Sequence, residues 1–165
     1  MAKNKEEKTN VMRVLEQKKI AYTAHTYPHE EGMAVDGVTV AKSMGFDPAI
    51  VFKTLVARGA SKQYYVFDVP VAENLDLKKA AKAVGEKSIE MIHQKELLPL
   101  TGYVHGGCSP VGMKKLFPTV FHETAENLET MIVSAGKIGY QVETAPQTLI
   151  ALVRATTADL TIEES

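Results

Sequence analysis

Two β-rich runs, Val51 to Arg58 and Gln63 to Val69, flank the turn-forming stretch Gly59-Ala60-Ser61-Lys62. Composition and spacing of this kind predict a hairpin with a four-residue loop, the firmest strand pair in the chain. Around it the signals alternate irregularly. Thr9 or Asn10 can cap a helix whose Val11, Val14 and Leu15 share one face and which ends near Lys18-Lys19. A strand is expected from Ile20 to Tyr27, a loop from His29 to Gly37, a short helix from Val38 to Met44, and a helical turn begun by Asp47-Pro48. After the hairpin, Asp76 caps a helix with Leu77, Ala80, Ala81 and Val84 on one face, closed by Gly85. Further strands are predicted at Ser88–Ile92, Gly102–His105, Thr119–Phe121, Thr130–Ser134 and Tyr140–Glu143, with a last helix from Pro146 to Val153. No regular βαβ rhythm appears, so the fold class is α+β with a mixed sheet.

At 165 residues the chain makes one domain with a real core, expected over residues 9–160, with residues 1–8 as a disordered tail. Hydrophobic residues at 45% and charged residues at 24% exclude a disordered or membrane-embedded chain. The start lacks the apolar core of a secretory signal, and the single cysteine, Cys108, excludes an intramolecular disulfide, so the cytoplasm is the expected location. A net charge of −1 provides no global field for nucleic acid, and any RNA contact must be local. Neither DNA nor a membrane is expected as a partner.

Chemistry concentrates in a few places. Phe52-Lys53-Thr54-Leu55-Val56 sets a lysine inside an apolar strand, with Val51 and Leu55 on its face and Phe52, Thr54 and Val56 on the other. An ammonium there either lines a cavity and meets a ligand or is an edge-strand lysine that snorkels to water. His105-Gly106-Gly107-Cys108-Ser109-Pro110-Val111-Gly112 is a glycine-rich break whose N–H groups can converge on an oxygen, or a tight turn without a ligand. Ser134-Ala135-Gly136-Lys137-Ile138-Gly139 is a second glycine-bearing loop or a plain hairpin connection. Cys108 and Ser109 lack a base at a suitable distance along the chain, so Cys108 reads as structural. The five histidines show no metal-ligand spacing, and neither metal nor cofactor is expected. Lys78, Lys79, Lys82, Lys87, Lys114 and Lys115 can touch phosphates or form solvated faces.

Val51-Phe52-Lys53-Thr54-Leu55, then Gly106-Gly107-Cys108-Ser109-Pro110-Val111-Gly112-Met113-Lys114-Lys115, then Ser134-Ala135-Gly136-Lys137-Ile138-Gly139 resemble, in that order, the YbaK-type Cys-tRNA(Pro) deacylases. These are free-standing relatives of the editing domain of bacterial prolyl-tRNA synthetases. The resemblance implies a compact domain with a mixed, barrel-like sheet, and cleavage of the ester joining a mischarged amino acid to the tRNA 3′ end. It further implies that Lys53 holds the aminoacyl-adenosine end, that Gly106 and Gly107 contact substrate through their backbone, and that Ser134 forms a second pocket wall. Asp36 stands where many relatives have an aromatic residue, and Gln141 where they are often acidic. Both are expected to line the pocket. For a cysteinyl ester the family mechanism is substrate-assisted, the substrate thiol attacking its own carbonyl, with prolyl-tRNA synthetase as the implied partner. An Ala-tRNA(Pro) deacylase of the same fold, or a non-catalytic adaptor for an aminoacyl end or a synthetase, is the alternative. Lys53 beside the intact glycine loop favours the enzyme.

Overall fold

The computed structural model describes residues 8–30 and 32–163; the expected tail falls almost wholly outside them. The hairpin forms as expected, β2 (Phe52–Gly59) running antiparallel to β3 (Tyr64–Pro70) from the Phe52–Pro70 pair to the Arg58–Tyr64 pair. Its turn is closed by Gly59 N–H donating to the Gln63 carbonyl at 2.9 Å, with Lys62 at φ 81°. The hairpin is the centre of a five-stranded mixed sheet ordered β4-β2-β3-β5-β8, where β4 is Ile89–Met91, β5 is Thr119–His122 and β8 is Thr156–Ala158. A three-stranded antiparallel sheet, β1-β7-β6, is built from β1 (Thr23–Thr26), β6 (Met131–Ser134) and β7 (Tyr140–Thr144). The two sheets are joined by a parallel bridge between Val51 and Ile132 and do not close into a barrel.

Alternation along the hairpin divides the core. Phe52, Val56 and Val66 face the three-stranded sheet through Met131, Val133 and Val142, with α1 (Asn10–Gln17) and α5 (Pro146–Val153) completing that layer. Ala57, Phe67 and Val69 face α3 (Leu77–Val84) through Ala80 and Ala81. Phe67 and Phe121 are fully buried, each contributing about 1.5–3 kcal/mol by its removal from water. Helix starts follow local chemistry. The Thr9 hydroxyl accepts from Met12 N–H at 3.2 Å, and the Asp76 carboxylate accepts from Lys78 and Lys79 N–H, leaving fewer orphan donors in each first turn.

Three differences from the sequence reading have identifiable physical causes. The expected strand Gly102–His105 is absent, because Gly102, at φ 90°, ends an unforeseen helix α4 (Gln94–Thr101). Tyr103 then turns inward: its N–H donates to the Thr101 hydroxyl at 3.0 Å and its own hydroxyl donates to the Val111 carbonyl, so no ladder partner is sought. Pro99 inside α4 hides that helix from a reading based on breakers. The first strand is shorter than Ile20–Tyr27, and β8 is a short edge strand whose existence depends on a parallel neighbour distant in sequence.

Candidate active site

The cavity lies where the two sheets part. Past the Val51–Ile132 bridge, β2 and β6 each run two residues on to Lys53 and Ser134, and the gap between them opens into a cavity of about 510 Å³. Lys53, Thr54, Asp36, Gly106, Ser134 and Gln141 all line it. Ser134 and Gln141 are cross-strand partners in β6 and β7, so their side chains share one face. The Ser134 hydroxyl accepts from Gly136 N–H at 3.0 Å, leaving its own hydrogen for the cavity.

Lys53 is half-buried and, among the described residues, has no hydrogen bond or ion pair. Desolvation holds its ammonium below the ordinary lysine range, while the negative charges of Asp36 and Glu73 oppose that shift. Asp36 also caps α2 (Gly37–Ser43), its carboxylate accepting from Thr39 N–H at 3.1 Å. One side chain thereby starts the helix at the mouth and supplies a counter-charge to Lys53.

Gly106 and Gly107 act differently. Gly106 lines the cavity at φ 90°, and a Cβ there would come within 2.6 Å of the Ala34 Cβ, so only glycine lets this loop meet the loop before α2. Gly107 does not line the cavity. Its N–H donates to the Val104 carbonyl at 2.9 Å, and a Cβ would lie 3.0 Å from the Ile138 nitrogen. It is the seam between the two glycine-bearing loops.

Cys108 reaches the cavity wall, but burial, reinforced by the charge of Asp68, pushes its thiol up to about 12. A thiol kept neutral by an apolar wall is a poor nucleophile. Cys108→Ala and Cys108→Ser should therefore retain most activity toward an ester bound in this cavity, whereas a covalent acyl adduct trapped on Cys108 would refute the structural role. Of the surface lysines, Lys79 is engaged by Asp159 at 2.9 Å and by the Thr161 carbonyl at 2.7 Å, fastening α3 to the C-terminal segment. Lys114 reaches the Pro99 carbonyl at 3.4 Å, and Lys115 lies over the Phe117 ring.

The sequence reading did not assign Thr54 or Asp68 to a site. The Thr54 hydroxyl donates to Asp68 Oδ1 at 2.5 Å from the cavity wall. The available signal was a lone carboxylate in the apolar run Tyr64 to Val69, the counterpart of the lone lysine in the strand beside it. Among the described residues, Asp68 Oδ2 and Gln141 Oε1 are the buried side-chain atoms that lack a hydrogen-bond partner. A buried acceptor without a partner is costly, and the Gln141 side chain that carries one belongs to the cavity lining.

A lysine that forms no ion pair among the described residues, a glycine loop and polar side chains around a cavity form a site suited to binding and polarising a substrate. Comparison with known proteins assigns its class: the aminoacyl-tRNA editing domain family matches residues 29–152, and the chain belongs to that family. Among individual proteins, it is 44% identical over 99% of its length, and 100% of the relative's, to an Enterococcus faecalis protein, EbsC, named for Cys-tRNA(Pro)/Cys-tRNA(Cys) deacylation. A solved structure assigned as a trans-editing enzyme for prolyl tRNA synthetase is similar at TM-score 0.78 and 26% identity, over 93% of this chain and 95% of that one. A scaffold protein used in computational epitope grafting is similar at TM-score 0.81 and 25% identity, over 93% and 96%. Among the described residues no helix is long and apolar enough to cross a membrane.

Proposed function

We propose that this chain is a trans-editing deacylase that cleaves the aminoacyl ester of mischarged Cys-tRNA(Pro) in the cytoplasm. The observation that carries the reading is the gathering of Lys53, Asp36, Gly106, Ser134 and Gln141 around one cavity of about 510 Å³, within the range for a small ligand and its anchoring groups. The family membership and the activity for which the Enterococcus faecalis relative is named point the same way. Lys53 is the cation that holds the negatively polarised terminal ribose-phosphate and ester. Ser134 and the Gly106 loop enclose the ester, and the Gln141 side chain forms part of the wall around the aminoacyl group. An aminoacyl ester is already activated, so orientation and stabilisation of the carbonyl oxygen suffice without a protein nucleophile. In the cysteinyl case the substrate sulfur bonds to its own carbonyl carbon and the ester C–O bond breaks. The thiol proton passes to the departing ribose oxygen, giving a cyclic thioester and free tRNA.

Gly107 contributes by fixing the loop that Gly106 presents, a supporting role in place of the substrate contact the resemblance implies. Prolyl-tRNA synthetase is the partner this reading requires, because the cavity reads an amino acid and not a tRNA body. The purified protein is therefore expected to deacylate Cys-tRNA(Pro) and Cys-tRNA(Cys) at similar rates and to act slowly on Ala-tRNA(Pro) and Pro-tRNA(Pro), which carry no thiol. Added prolyl-tRNA synthetase should shift the preference toward Cys-tRNA(Pro). Strong discrimination between the two cysteinyl-tRNAs by the protein alone would sink the partner argument, and hydrolysis of Ala-tRNA(Pro) as fast as Cys-tRNA(Pro) would sink thiol assistance.

A further inference from the structure

Asp68 has no part in the chemistry above, yet it is hydrogen-bonded to Thr54, which lines the cavity. It stands directly opposite Thr54 in the hairpin register, beside Phe121 of β5, and is wholly buried. Phe52, Val56 and Val66 occupy the same face of the hairpin. Its hydrogen bond comes from the Thr54 hydroxyl, and among the described residues its Oδ2 has none. Such a carboxyl costs stability, because one threonine does not replace the water lost on burial.

We propose that Asp68 is a positioning residue for deacylation, its protonation state deciding whether the Thr54 hydroxyl offers the substrate carbonyl a hydrogen or only lone pairs. The proposal rests on the deacylase reading and deepens it. A threonine hydroxyl has one hydrogen and two lone pairs. Ionised Asp68 can only accept, so the Thr54 hydrogen is held toward the core and the cavity meets an acceptor. Protonated Asp68 donates to Thr54 and releases the Thr54 hydrogen toward the cavity, where a donor stabilises charge developing on the ester oxygen. Burial, opposed by the Thr54 hydrogen bond, pushes the Asp68 carboxyl up to about 8, so both forms are populated near neutral pH. The neighbouring elements leave the switch to Asp68. On β2, Lys53 projects from the opposite face to Thr54, and β5 contributes Phe121, which does not titrate. The glycine loop contributes Cys108, whose thiol stays neutral far beyond this range.

The test uses the full chain with Asp68→Asn, which keeps the size and can donate to Thr54 at every pH, and Asp68→Val, which leaves Thr54 free to turn. Single-turnover deacylation of Cys-tRNA(Pro) is measured from pH 6 to 9, the uncatalysed hydrolysis is subtracted, and each variant is compared with wild type at the same pH. Both variants should match wild type within about twofold at pH 6 and exceed it on the order of tenfold at pH 9, one unit above the carboxyl midpoint. In a Thr54→Val background the Asp68 substitutions should leave the pH profile unchanged. A ratio constant from pH 6 to 9, or one that still changes with pH after Thr54→Val, overturns the proposal. The carboxyl carbon resonance of Asp68 provides a readout independent of activity: it should titrate near neutral or alkaline pH and shift further upward in Thr54→Val. Titration in the ordinary aspartate range would refute the switch whatever the protein's substrate, whereas wild-type protein inert toward Cys-tRNA(Pro) refutes the deacylase reading.

Discussion

Lys53→Ala is expected to lower deacylation on the order of 100- to 1,000-fold while leaving the protein folded. The loss follows from position: Lys53 is the cationic side chain among those lining the cavity, apart from His105 when protonated, and nothing beside it can replace its charge. Removal of one preorganised electrostatic group at a reacting oxygen has effects of that size. Retention of the fold follows from its contacts, since no ion pair among the described residues is broken and a desolvated ammonium is exchanged for a methyl group. Lys53→Arg should also be poor, because a planar fork does not take the place of a compact ammonium in a cavity of this size. Single-turnover rates with Cys-tRNA(Pro) and circular-dichroism melting measure the two parts separately. Near-normal activity in Lys53→Ala would show that the cavity is not where the ester is broken.

The second large effect is on stability and its pH dependence. Asp68 has an ordinary carboxyl value of 3.8 in the unfolded chain and is raised to about 8 by burial in the folded one. Between these values the folded state holds a proton that the unfolded state has released, so unfolding releases a proton and stability falls as pH rises. The fall is roughly 1 kcal/mol per pH unit across that window, and the contribution is flat below it. Other groups titrate in the opposite sense. Glu143 is held low, chiefly by Thr130 and then by His25, and contributes stability that is lost as pH falls. The informative quantity is therefore the difference between wild type and Asp68→Asn. Denaturant unfolding from pH 4 to 9 should show the variant gaining steadily on wild type up to about pH 8 and then levelling. A difference independent of pH would mean that Asp68 is ionised in the folded protein throughout.

The elements recovered from sequence are those whose determinants are local. Thr9, Asp47 and Asp76 cap helices or turns where their side chains reach N–H groups two or three residues on. The hairpin announced itself through its turn and two β-rich runs, and Lys53 through its isolation in one of them. The two glycine-bearing loops were also legible from composition, and the resemblance gave Gly106, Ser134 and Gln141 expected site roles; the fold brings all three to the cavity lining. Elements that depended on partners outside their own segment were less legible: β8 exists because β5 lies beside it, and the inward turn of Tyr103 is held by the Val111 carbonyl in the following loop.

Sequence alone thus determined the α+β class, the hairpin and the lysine at its open end, because periodicity, capping and turn chemistry act over a few residues. Tertiary structure decided that β2 and β6 part beyond Val51 and Ile132 to make a cavity, that Gly107 is a seam while Gly106 is a wall, and that Asp68 is buried with one oxygen unpartnered among the described residues. Those outcomes depend on desolvation and packing between segments distant in the chain, and neither quantity is defined until the sheets meet.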